Sequence, residues 1–119
     1  MFLEKLSRIS NRIHDAMALC LVDKDGILIE SVSSGADLDF DLLAAELVTQ
    51  AENISNDHRD LAVGEVEQLT VATDRMTLMV SSVGNGYYLM LVLGPEGNQG
   101  KARFELRRSG LLLEEDLSV

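Results

Sequence analysis

The sequence has no tryptophan, one proline and one cysteine in 119 residues, and aromatic residues make up only 4% of it. A single cysteine, Cys20, excludes an intrachain disulfide and the paired thiols of a structural zinc site. Its neighbours Leu19 and Leu21 are apolar. They desolvate the sulfur and disfavour the thiolate, so Cys20 reads as a small core residue rather than a nucleophile or metal ligand. The scarcity of proline, beside a hydrophobic fraction of 46%, argues against disorder. Basic residues are also few. Ten Lys and Arg stand against 20 Asp and Glu, for a formal net charge of −10. Such a surface repels phosphate backbones and anionic lipids, so neither nucleic acid nor membrane insertion is expected. The acidity suits a basic protein partner and plain solubility equally. The longest apolar runs, Ala16–Val22 and Tyr87–Leu93, fall far short of the roughly 20 residues that span a bilayer. The start, Met1-Phe2-Leu3-Glu4-Lys5, lacks the apolar stretch of a secretory signal. A cytoplasmic chain folding as one domain over residues 1–119 is the expectation.

What is present is periodic. Phe2, Leu3, Leu6, Ile9 and Ile13 share one face of a helix over Phe2–Asp15. Met17–Val22 is a continuous apolar run, as in a strand covered on both faces, although a buried helical piece has the same signature. Asp23-Lys24-Asp25-Gly26 is a hairpin turn, since Gly tolerates the positive φ the turn needs. Ile27–Val32 is the second strand, and Ser33–Asp37 a loop. Asp37 or Asp39 can cap the next helix. There, Phe40, Leu43, Ala44, Leu47, Val48, Ala51 and Ile54 form one stripe. Leu42, Ala45 and Thr49 form a second, roughly opposite. The pattern ends near Asn56-Asp57-His58. Leu69–Thr73 and Met76–Val80 read as strands around a turn. Gly84-Asn85-Gly86 is another turn, and Tyr87–Leu93 the last strand. Gly94-Pro95 ends it, and Asn98 can cap a final helix with Ala102, Leu106, Leu113 and Leu117 inward. The predicted order is α-β-β-α-β-β-β-α. It makes an α+β sandwich with an antiparallel five-stranded sheet and helices on its faces.

Catalytic constellations are scarce. His14 and His58 lack the i, i+4 spacing of a helical metal pair. No Gly-x-Ser-x-Gly elbow and no Gly-x-x-x-x-Gly-Lys-Ser/Thr loop occur, so neither a serine hydrolase nor a nucleotide-binding chain is expected. Asp37, Asp39 and Asp41 alternate but lack the glycine and distal glutamate of a calcium loop; helix capping explains them better. No cofactor and no metal are expected, and the chain reads as a non-enzyme. Lys101, Arg103, Arg107 and Arg108 form the one basic stretch. They either balance Glu105, Glu114 and Glu115 or contact an acidic partner.

Several segments resemble the Roadblock family, also called the dynein light chain Roadblock type. They are Ala18–Ile29, the helix carrying Leu42-Leu43-Ala44-Ala45-Glu46, and Leu89–Leu93 followed by Gly94-Pro95-Glu96-Gly97-Asn98-Gln99-Gly100-Lys101-Ala102-Arg103. The last stretch is the most specific; hairpins like Val22–Gly26 also occur in longin, profilin-like and PAS-type domains. The resemblance spans about Asp15 to Leu113. It implies a profilin-like sandwich that dimerises through its middle helix and third strand, and bacterial members commonly regulate small Ras-like GTPases. On that basis the dimer interface is expected at Leu42, Ala45 and Thr49 with Glu65, Val66, Leu69 and Val71 of a strand over Glu65–Ala72. Lys101, Arg103, Arg107 and Arg108 are the expected partner-binding residues. The expected function is that of a homodimeric regulator or scaffold of a small GTPase. A structural adaptor in a larger complex and a profilin-like small-molecule sensor are the alternatives.

Overall fold

The computed structural model describes residues 2–35, 37–57, 62, 64–84 and 86–117. Met1, His58 and Asn85, all named above, lie outside them, as does Ala36 within the predicted loop. The elements are α1 (Phe2–Asn11), β1 (Ala16–Asp23), β2 (Leu28–Ser33), α2 (Phe40–Asp57), β3 (Gln68–Ala72), β4 (Thr77–Val83), β5 (Tyr87–Leu93) and α3 (Gln99–Leu117). The five strands form one antiparallel sheet in the order β2-β1-β5-β4-β3. The two most apolar runs of the sequence, β1 and β5, pair at its centre. They need no alternation because both of their faces are covered.

Strand pleating divides the core into two layers. Leu19, Leu21, Met79, Val83, Leu89, Leu91 and Leu93 point to one face, where α1 supplies Leu6 and Ile9 and α3 supplies Ala102, Leu106 and Leu113. Ala18, Cys20, Val22, Leu78, Val80, Tyr88, Met90 and Val92 point to the other, where α2 supplies Ala44, Leu47, Val48 and Ala51. Cys20 is fully buried, and its thiol is pushed up to about 12, mainly by desolvation and then by the Asp41 carboxylate.

Local hydrogen bonds fix the punctuation. Asp23 Oδ1 accepts from the amides of Asp25 (2.9 Å) and Ile27 (3.0 Å), and Gly26 takes φ +83°, which closes the β1–β2 hairpin. Thr73 Oγ1 accepts from the amides of Arg75 (3.2 Å) and Met76 (3.1 Å) in the β3–β4 turn. Asn98 Oδ1 caps α3 through the amide of Lys101 at 3.0 Å.

The first helix is shorter than its periodicity suggests. It ends at Asn11, two single turns carry the chain on (Arg12 N to Ile9 O and Ile13 N to Ser10 O, both 3.1 Å), and Asp15 adopts φ +62°. The reason lies far along the chain. The Asp15 carbonyl accepts from the amide of Gly94 and its carboxylate from the amide of Glu96, both at 2.8 Å. Asp15 therefore belongs to the loop after β5, not to the helix.

Candidate protein interface

The middle helix begins where Asp39 Oδ1 accepts from the Leu42 amide at 3.1 Å, and Leu43 N donates to the Asp39 carbonyl at 3.0 Å. Of the two capping aspartates considered, Asp39 is the one that satisfies these orphan donors. Ala44, Leu47, Val48, Ala51 and Ser55 recur at helical spacing and are buried against the sheet. Glu52, on the flank, accepts a hydrogen bond from the Tyr88 hydroxyl of β5. Burial, then this hydrogen bond, then the charges of Glu52 and Glu65 push the Tyr88 phenol well above its ordinary value. Ser55 Oγ accepts from the Val66 amide at 2.9 Å and ties the end of α2 to the segment entering β3.

The expected interface residues of α2, at i, i+3 and i+7, share one side of the helix but differ in exposure. Leu42 is 58% exposed, and Thr49 is exposed two turns further on. Ala45 is only half-buried, and its backbone lies against the β1–β2 turn: a Cβ added to Gly26 would sit 3.0 Å from the Ala45 Cα. On the opposite flank, Phe40, Leu43 and Ile54 remain partly accessible. Phe40 and Leu43, with Leu69 and Met76, border the α2-side core. Residue periodicity had assigned Leu43 and Ile54 to the inner stripe. It gave no sign that they stay half-open.

β3 is a sheet edge, paired only with β4 among the described residues. It starts at Gln68 and not at Glu65. Val66 N is turned to Ser55 instead of a ladder, and only the Glu67 carbonyl carries the pairing one step further, accepting from Ser82 N at 2.8 Å. Glu65 is exposed and Val66 half-buried, both outside the strand. Within the strand, Leu69 is opposite Val80 and Val71 opposite Leu78, so both face the α2 layer. Val71 is 37% exposed. The strand thus joins an unpaired backbone edge to apolar side chains on the α2 side, a combination that invites a second chain.

The four basic residues of α3 do not form one patch. Arg103 and Arg107, four apart, line a surface groove of about 500 Å³ between α3 and the β3–β4 strands. Lys101 and Arg108 point elsewhere at helical spacing, and Arg108 pairs with Glu105 at 3.4 Å. Arg107 lies 3.8 Å from Glu67. His14 is exposed after α1. Among the described residues, no group of three or more His, Cys, Asp or Glu could hold a metal, and no helix is long and apolar enough to cross a membrane.

The Roadblock/LC7 domain model matches residues 3–93 of the chain. A Roadblock/LC7 domain from Streptomyces avermitilis superposes with a TM-score of 0.87 at 20% identity, over 98% of each chain. MglB from Myxococcus xanthus gives a TM-score of 0.80 at 19% identity, over 96% of this chain and 89% of that one. MglC from Myxococcus xanthus gives 0.70 at 27% identity, over 97% and 98%. None of the curated proteins matches. Element order, sheet order and the matched segment agree, and the chain belongs to the Roadblock/LC7 domain family.

Proposed function

We propose that this chain is a homodimeric, non-catalytic regulator or scaffold of a small Ras-like GTPase that works by docking partners. The observation that carries the reading is the open β3 edge, with Leu69 and Val71 turned to the same side of the sheet as α2. Pairing β3 with its counterpart in a second copy satisfies the free edge and sets the two middle helices over one continuous sheet. Leu42 and Thr49 on the outside of α2, with the half-open Leu43 and Ile54, then meet the second copy or its GTPase. Family membership supports the GTPase as partner, since bacterial Roadblock proteins commonly regulate such enzymes. The separation of Arg103 from Arg108 on α3 supports docking over an arginine supplied to a nucleotide. The adaptor reading differs only in leaving nucleotide turnover unchanged.

Two measurements test this. Light scattering at micromolar concentration is expected to give twice the chain mass, and Leu69→Asp, which places a charge at the seam, to reduce it to one. Capture of small GTPases encoded beside the gene, loaded with GDP or a GTP analogue, is expected to depend on the nucleotide and to alter hydrolysis. A wild-type monomer removes the dimer. Binding with unchanged hydrolysis removes the regulator and leaves the adaptor, and no binding in either nucleotide state removes both.

A further inference from the structure

The outer side of α2 and the turn beside it join exposed apolar side chains to carboxylates that nothing neutralises. Leu42 is 58% exposed and Ile27 62%. Gly26 lies against Ala45, Ile27 follows Gly26, and Leu42 stands one turn before Ala45, so one contact brings both to the same rim. Around them Asp25, Asp39, Asp41 and Glu46 are exposed. None of these four has an ion-pair partner among the described residues. Lys24, in the same turn, extends along Gly86 instead, where an added Cβ would meet its Cδ at 3.6 Å.

Charge is sorted by layer. From Asp25 to Asp57 the sequence holds eight carboxylates and no lysine or arginine. The basic residues collect across the sheet: Lys5 and Arg8 on α1, Arg12 just after it, and Lys101, Arg103, Arg107 and Arg108 on α3. The helix dipole accounts for Asp39 and Asp41 at the start of α2, but not for Asp25, Glu46 or Leu42. For the chain alone these residues bring nothing: like charges side by side repel, and an exposed leucine gains no burial. A partner of the right chemistry reverses both effects.

We propose that Leu42 and Ile27 seat an apolar side chain of a partner protein, on a segment that carries lysine or arginine on both sides of it. The apolar group covers Leu42 and Ile27 while the flanking cations reach the carboxylates around them. Among the described residues no group of three or more His, Cys, Asp or Glu could hold a metal, so cations spread along a chain segment fit where a bound ion does not. A second copy is the poorer occupant. Its own copy of this face repels, and Arg107 and Arg108 of its α3 are already engaged by Glu67 and Glu105. The face also stands clear of the proposed β3 seam. It borders β2, and four strand spacings, roughly 19 Å, separate β2 from β3 across the sheet. The inference rests on the reading of this chain as a docking protein and gives the docked partner a chemistry; it does not depend on the dimer.

Titration of the full chain with a short synthetic peptide, a leucine between lysines in a serine and glycine background, tests it through backbone amide NMR shifts. The expected result is shifts centred on Gly26, Ile27 and Asp39–Glu46, and none with the counterpart that has glutamate for lysine. Leu42→Ser and Glu46→Lys are each expected to weaken binding about tenfold. Both residues are on the surface, so the variants keep the native circular dichroism spectrum. Glu4→Lys makes the same charge change on α1, across the sheet, and is expected to alter binding by less than about twofold. No binding, shifts scattered over all the carboxylates, or equal weakening by Glu46→Lys and Glu4→Lys overturns the proposal. A lower oligomer mass in Leu42→Ser than in the wild type overturns it too, by giving the face to a second copy. Leu69→Asp is expected to bind the peptide as the wild type does, so failure of the dimer and failure of this face are read apart. GTPase capture is a third readout: its absence with peptide binding retained removes the GTPase and leaves the face.

Discussion

At the scale of single residues, the most specified point of the chain is the contact between Asp15 and the loop after β5. Asp15 holds a left-handed backbone at φ +62° and accepts from two amides of that loop, Gly94 and Glu96. Gly94 is glycine for want of space: a Cβ there would lie 2.3 Å from the Asp15 Oδ2. Aspartate tolerates the left-handed region better than most residues, and its carboxylate here replaces a water that the loop amides would otherwise need. Gly94→Ala is expected to destabilise by about 2–3 kcal/mol, because the Gly94 amide is held by the Asp15 carbonyl and the Asp15 carboxylate by the Glu96 amide. Asp15→Ala is expected to cost about 1–3 kcal/mol through the orphaned Glu96 amide. The two changes remove the same contact, so the double variant should lose less than their sum. Urea denaturation of the four proteins measures this, and strict additivity would show that Gly94 and Asp15 do not press on each other.

At the scale of elements, the strands were the most legible part of the sequence. β1 and β5 are unbroken apolar runs closed by Asp-Gly and Gly-Pro, and such signals are local. The features that escaped depend on distant partners. The end of α1 at Asn11 follows from Gly94 and Glu96. The late start of β3 follows from Ser55, which takes the Val66 amide out of the ladder. Ala45 sits on the side of α2 that meets Gly26, a neighbour that helical spacing cannot name. The proposed interface was therefore legible only as a helix and a strand, and the half-open flank of Leu43 and Ile54 was not. The basic stretch of α3 was found by composition, but its split into two faces needed the helix to be set on the sheet. The layer beneath α2 also carries a pH dependence. Cys20 and Tyr88 both have folded-state values raised above their ordinary 9.0 and 10.0. A raised value means the folded state keeps its proton while the unfolded chain has released its own. Stability is full below about pH 9 and falls as pH climbs toward 12, with the unfolded chain binding fewer protons. For Cys20 the loss by pH 10.5 is up to about 2 kcal/mol. Urea midpoints at pH 8 and pH 10.5 are expected to fall accordingly, with a smaller fall in Cys20→Ala. Equal falls in both proteins would remove Cys20 as the cause.

At the scale of the whole molecule, charge sets the balance. A net charge of −10 on one small domain is self-repulsion that folding concentrates. Ion pairs that oppose it among the described residues, mostly at the surface, include Lys5–Asp116, Arg12–Glu105, Arg107–Glu67 and Arg108–Glu105. Surface pairs contribute roughly 0–1 kcal/mol each, and salt weakens them. The repulsion among 20 carboxylates is longer in range, and salt weakens it more, since the Debye length shrinks from about 30 Å at 0.01 M to about 8 Å at 0.15 M. The two effects have opposite sign, and the arithmetic of charges decides between them. Raising sodium chloride from low to physiological concentration is therefore expected to raise the melting temperature by several degrees, read by differential scanning calorimetry at a fixed protein concentration. The same screening lets equally charged copies approach, so association through the proposed β3 edge should tighten over that range. A melting temperature that falls with salt would mean that the surface ion pairs outweigh the carboxylate field, and that acidity is not what limits the stability of this fold.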